Sequence, residues 1–210
     1  MVKEINTQQP LSTHSEYKEK KTMKGKCERY KRIEDGSLQE KLWKIYVAEL
    51  GPEIAAETAF PQQCFKDFEM FVEIMLDLDF EKFVLSSGDG RIIGLAVSSS
   101  NLEKVRDVAG VRFNPEIYEA IFPDLYKRGG IHYFPAMCIS KEDQDEGHIY
   151  ALGNGMISMV NENDGVAAFD HSERKNPGMG GLITHIAKEL GLRPEAKTTV
   201  VDQQTFVVVG

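Results

Sequence analysis

The sequence predicts a mixed α/β fold, and three observations carry that reading. Apolar residues change period along the chain, from the 3.6-residue spacing of helices to the alternation of strands. The pair Asp89-Gly90 stands between two apolar runs, a strong hairpin signal. Late in the chain an apolar strand, a polar turn, a long helix and a short strand follow in the order of a βαβ crossover. With 210 residues, 41% hydrophobic and 28% charged, the chain has the length and composition of one domain with a full core. No run approaches the ~18 apolar residues of a membrane span, and no apolar leader opens the chain. Cys27, Cys64 and Cys138 are scattered and odd in number, which argues against a disulfide framework and against a zinc site. A reducing cytoplasm is the expected compartment.

Charge is unevenly spread. Six lysines against three glutamates make residues 1–26 net +3, so the rest of the chain carries −11 of the overall −8. The first 26 residues are polar and poor in large apolar groups, the composition of a disordered tail on a domain spanning 27–210. An acidic body disfavours nucleic acid and anionic membrane as partners and suits an amine.

The elements follow in order. Tyr30–Ile33 reads as a short strand. Ser37 with Glu40 has the spacing of a capping box, and Leu38, Leu42, Ile45, Tyr46 and Leu50 make a helical stripe closed by Gly51. Pro61 opens a second helix with Phe65, Phe68, Phe71, Val72 and Met75 on its apolar face. Phe80–Leu85 and Arg91–Val97 are the hairpin strands. A short helix is expected near Pro115–Phe122, then a strand over Ile131–Ile139 and a helix from about Gly147 to Val160. Val166–Phe169 is a strand, Pro177–Leu190 a helix, and Thr198–Val209 a final strand.

Between strand and long helix lies Ile139-Ser-Lys-Glu-Asp-Gln144-Asp-Glu-Gly147-His-Ile149. A strand end, a tight polar turn and a helix start can turn backbone N–H groups toward a phosphate. With its element order, this stretch resembles the GNAT superfamily of acetyl-CoA-dependent N-acyltransferases, whose motif Q/R-x-x-G-x-G/A stands here as Gln144-Asp-Glu-Gly147-His-Ile149. Cys138-Ile139-Ser140 falls where that family ends its fourth strand. The alternative is another α/β protein in which Gly147 only starts a helix.

The resemblance implies a mixed, mostly antiparallel sheet flanked by helices, with a splayed and bulged fourth strand. It implies acetyl-CoA as co-substrate, its pantetheine arm along the backbone of Ala136, Cys138 and Ser140 or their neighbours, Ile139 among them. The N–H groups of Asp145, Gly147, His148 and Ile149 would face the pyrophosphate, with Gln144 and Glu146 in the same turn and Asn176 after the next strand. The bulge would also accommodate Pro135, which has no N–H for a ladder.

Two departures oppose the cofactor. Ile149 replaces the small residue of the motif. Asp143, Asp145 and Glu146 repel a phosphate, with Lys141 the cation in the loop; at ~6 Å and an effective dielectric near ~20 one such pair costs on the order of 2–3 kcal/mol. The tyrosine acid common on the family's later helix is Ala187 here. His132 and Tyr133 are the substitutes chemistry offers, since imidazole titrates near neutrality, although a strand histidine is also an ordinary packing group. His148 reads as a phosphate contact or a helix-start group, and His171 and His185 as surface or packing groups. Cys138 reads as a small hydrophobe rather than a nucleophile. Tyr46, Glu49, Glu53 and Glu57 would flank the acceptor or form a solvated acidic face.

Two functions follow from the resemblance. One is transfer of an acetyl group from acetyl-CoA to the amine of a small molecule or peptide by direct attack. The other is a GNAT-fold binding or interaction module without turnover. A homodimer is an expected assembly for either.

Overall fold

The computed structural model describes residues 24–51, 65–109, 113–169, 179–189 and 195. Its sheet has five strands in the order β1-β2-β3-β4-β5: β1 (Lys26–Tyr30), β2 (Phe80–Ser86), β3 (Ile92–Ser99), β4 (Ile131–Ile139) and β5 (Val166–Ala168). The first four are antiparallel and β5 joins β4 in parallel. This is a mixed, mostly antiparallel sheet flanked by helices, the fold class the sequence predicts. The helices are α1 (Gly36–Leu50), α2 (Phe68–Leu76), α3 (Leu102–Ala109), α4 (Pro115–Ile121), α5 (Pro123–Lys127), α6 (His148–Glu162) and α7 (Met179–Glu189). Helices α1 and α3 pack on one face of the sheet, and α6, backed by α7, packs on the other. Among the described residues no helix is long and apolar enough to cross a membrane.

The first strand lies earlier than expected. It begins at Lys26, the last residue of the stretch read as tail, and pairs with β2 from Lys26↔Ser86 to Tyr30↔Lys82. Ile33 is not a strand residue. It drops into the core and its N–H donates to Met75 O at the end of α2. The N-cap of α1 is Asp35, not Ser37: the Asp35 carboxylate accepts from Ser37 N and Leu38 N at 2.8 and 3.3 Å. An anionic acceptor suits the positive end of the helix better than a hydroxyl.

Asp67 caps α2, accepting from Met70 N at 2.8 Å; Pro61 lies outside the described residues. Phe71, Ile74 and Met75 enter the core as helical spacing requires. Phe65 is buried ahead of the helix, donating its N–H to Tyr46 Oη at 3.0 Å. Phe68, expected on the apolar face, is 38% exposed and lies against Trp43.

The hairpin forms as the Asp89-Gly90 signal requires, and β2 is buried on both faces. Lys82 is fully buried there, its ammonium donating to Lys31 O at 2.7 Å, Phe80 O at 2.9 Å and also to Asp77 O. Burial pushes its pKa down to about 8. Helices α3 and α5 were not legible, because few apolar residues mark a helix this short and this charged. On the other face, α6 rests directly on β1. A Cβ at Gly155 would stand 2.7 Å from Cys27 Sγ, so glycine is what permits that approach. The expected final strand, Thr198–Val209, lies outside the described residues.

Candidate functional site

The site is built on β4 beyond the last described pair of its ladder with β5. The β3–β4 ladder runs to Gly94↔Ile139, but the β4–β5 ladder ends at Tyr133↔Ala168. Between Ser99↔Tyr133 and Val97↔Ala136 two steps on β3 oppose three on β4, so the extra residue falls at Phe134–Pro135. The missing proline N–H therefore costs no ladder bond. Beyond the bulge no described strand covers the outer edge of β4. Ser140 N donates to Ile93 O at 2.8 Å. By the alternation of an antiparallel ladder, the backbones of Ala136, Cys138 and Ser140 then turn toward β3, while Met137 and Ile139 turn toward the opening. Of the strand residues read as cofactor contacts, Ile139 presents its backbone there.

The loop after β4 is a 3₁₀ turn, Lys141–Glu146, held at several points. Asp143 N donates to Ser140 O at 2.8 Å. Glu49, in the last turn of α1, accepts from Lys141 N at 2.8 Å. The Gln144 amide nitrogen donates to Ile139 O at 2.9 Å and lies 3.4 Å from a Glu49 oxygen. Asp143 receives both terminal nitrogens of Arg91, at 2.8 and 2.9 Å. Gly147 then takes φ +80°, a left-handed conformation that glycine adopts without strain. Helix α6 begins at once, with no side-chain cap on its first turn.

This geometry revises the loop's electrostatics. Lys141 is not the only neighbouring cation, because Arg91, in the hairpin turn just before β3, pairs with Asp143. Asp145 and Glu146 close the 3₁₀ turn. His148 is buried and its Nδ1 lies 3.0 Å from Asp143 O. A carbonyl only accepts, so Nδ1 is the donor of this contact. Ile149 is half-buried and packs with Met137 and Phe169 between the cluster under α6 and the cluster joining α6 to α7. Arg91 and Asp143 line a cleft of about 360 Å³ that runs from Lys24 and Gly25 past Ser87–Asp89 to His148.

The two residues read as proton carriers are not brought together. His132 and Tyr133 lie where β4 is paired on both edges, on opposite faces of the strand. His132 is 6% exposed beside Gly165, and its Nε2 has no hydrogen-bond partner among the described residues. Burial lowers its pKa. Tyr133 packs in the opposite core against Phe113, ring centroids 4.4 Å apart and the rings tilted by 57°. Cys138 is buried in that same core, and burial pushes its thiol up to about 12, the behaviour of a small hydrophobe.

Ala187 is buried between α7 and α6, and His185 is exposed. Tyr46 is core. Asn176, Glu53, Glu57 and His171 lie outside the described residues. Sequence reasoning missed Arg91. Its signal was the hairpin: once β3 pairs with β4, the residue just before β3 stands beside the loop that follows β4.

No protein-family model and no curated protein matches the chain. Among solved structures, it is similar to an aminoglycoside acetyltransferase from an uncultured soil metagenomic sample, in complex with trehalose and in complex with sisomicin. In both cases identity is 13%, coverage is 88% of this chain and 97% of that chain, and the TM-score is 0.49.

Proposed function

We propose that this protein is an N-acetyltransferase that moves an acetyl group from acetyl-CoA to the amine of a small molecule or peptide. The observation that supports the reading is the bulge of β4 at Phe134–Pro135, past which no described strand pairs with its outer edge and the chain runs on to an uncapped helix start at Gly147. The outward backbone of Met137 and Ile139 suits the amide-bearing pantetheine arm. The N–H groups of Gly147, His148 and Ile149 suit the pyrophosphate, because the helix dipole and unbonded first-turn donors favour an anion. Bound there, acetyl-CoA supplies an activated acyl group. The amine attacks the thioester carbonyl carbon, the C–N bond forms, the C–S bond breaks, the amine proton leaves to water or a base, and the thiolate departs. The acidic body favours an amine-bearing acceptor. His132 is the proton acceptor this proposal offers, since burial keeps it in the neutral form.

A second reading has its own observation. Gln144 already occupies the outward carbonyl of Ile139, and Ile149 fills the place of a small residue. That favours a module that binds without turnover. Calorimetry with acetyl-CoA, followed by free-thiol release with a panel of small-molecule and peptide amines, separates the two. Heat with thiol release is the expected result, and no heat at millimolar cofactor ends the enzyme reading. Ile149→Gly should tighten cofactor binding; unchanged affinity would show that the pyrophosphate lies elsewhere.

A further inference from the structure

Resting on the acetyl-CoA reading above, we propose that Arg91 is a positioning residue: from the hairpin it holds Asp143 and thereby fixes the backbone at the start of α6. The contact is a two-pronged fork, Nη2 to Oδ1 at 2.8 Å and Nη1 to Oδ2 at 2.9 Å. Such paired charge-assisted bonds set direction as well as distance. The partners differ in burial: the Asp143 side chain is 6% exposed and that of Arg91 53%. The guanidinium therefore reaches inward from a solvent-facing hairpin to satisfy a carboxylate that has left water.

Asp143 in turn governs the helix start. Its carbonyl faces His148 Nδ1 at 3.0 Å, and His148 is the first residue of α6. Between them stands Gly147 at φ +80°, the hinge at which the chain turns from the 3₁₀ helix into α6. The other anchors act on the entrance of the turn: Glu49 holds Lys141 N, and Gln144 holds Ile139 O. Among the described contacts, the Arg91–Asp143–His148 relay ties the exit of the turn to the sheet. Since no side chain caps α6, the direction of its first N–H groups depends on this outside support. Arg91 also cancels one of the negative charges that would face a phosphate.

The test compares acetyl-CoA with S-acetyl-pantetheine, which keeps the thioester arm and lacks the pyrophosphate. For Arg91→Ala, acetyl-CoA binding should weaken roughly tenfold or more while S-acetyl-pantetheine binding stays within about twofold. Arg91→Lys keeps a charge without the fork and should fall between. In the protein without cofactor, amide hydrogen exchange over residues 143–150 should accelerate in Arg91→Ala while β2 and β3 amides keep their rates. Equal losses for both thioesters, or unchanged exchange over 143–150, would overturn the proposal. If the unsubstituted protein binds neither thioester, the acetyl-CoA reading fails, and the exchange measurement still decides whether Arg91 holds the loop.

Discussion

The two ends of α6 are both polar, and they are polar in different ways. At the C-terminal end charged side chains pair with one another. Glu81 takes Arg29 at 3.0 Å and Lys31 at 2.5 Å, and Arg29 also reaches Glu162 at 2.6 Å. The backbone is closed there as well: Asn163 donates to Met159 O at 2.7 Å, Gly165 N to Val160 O at 2.9 Å, and Arg128 binds Asn163 O at 3.2 Å. At the N-terminal end side chains hold the backbone of a turn instead, and the helix start is left uncapped. A self-paired end satisfies its own groups and stabilises the fold. A shaped, uncapped end leaves backbone donors for something outside the chain. Two buried polar atoms on neighbouring strands, Ser98 Oγ and His132 Nε2, are the exceptions, with no hydrogen-bond partner among the described residues.

The largest expected effect breaks the closed end. Glu81→Leu removes the acceptor shared by two cations and should cost about 2–3 kcal/mol, less than a fully buried pair because Arg29 and Lys31 remain partly solvated. Denaturant unfolding should show that loss with acetyl-CoA affinity unchanged; a parallel loss of affinity would mean that the two ends are coupled. Gly147→Ala reverses the pattern at the open end. Forcing a Cβ into φ +80° costs about 1–2 kcal/mol, and the loss of acetyl-CoA affinity should exceed what that strain alone predicts. An intact affinity would detach the helix start from the cofactor.

The smallest effect is a pH dependence. Burial holds His132 below its ordinary 6.5, with Glu81 raising it and Arg29 and Lys31 lowering it. Below pH 6.5 the unfolded chain therefore binds this proton first. Stability is whole above that pH and falls as pH drops toward the folded value. His132→Phe should flatten that window in unfolding curves measured from pH 7 downward. If His132 also takes the amine's proton, the substitution changes the pH–rate profile of acetyl transfer; an unchanged profile leaves it a packing group.

Much of this was legible in the residues. The Asp89-Gly90 pair announced the hairpin, and the limits of β4 matched because its apolar run is bounded by Gly130 and the polar turn. Gly147 marked the start of α6 because little else follows a 3₁₀ turn at positive φ. The start of β1 was misplaced because Cys27, Arg29 and Tyr30 alternate too weakly to show a period. Ser37 was preferred as a cap because its spacing to Glu40 is familiar, while Asp35 offered the stronger acceptor two residues before.

By itself, then, the sequence determined the element order, the hairpin, the turn that precedes α6 and the acidity of the body, all properties of local pattern and composition. Only the tertiary structure decided which backbone groups of β4 face the opening, that His132 and Tyr133 fall on opposite faces, and that Arg91 lies on Asp143. Those depend on strand register and on one inserted residue at Phe134–Pro135. A single-residue shift in a strand exchanges its faces, and no local pattern announces a contact between residues 52 positions apart.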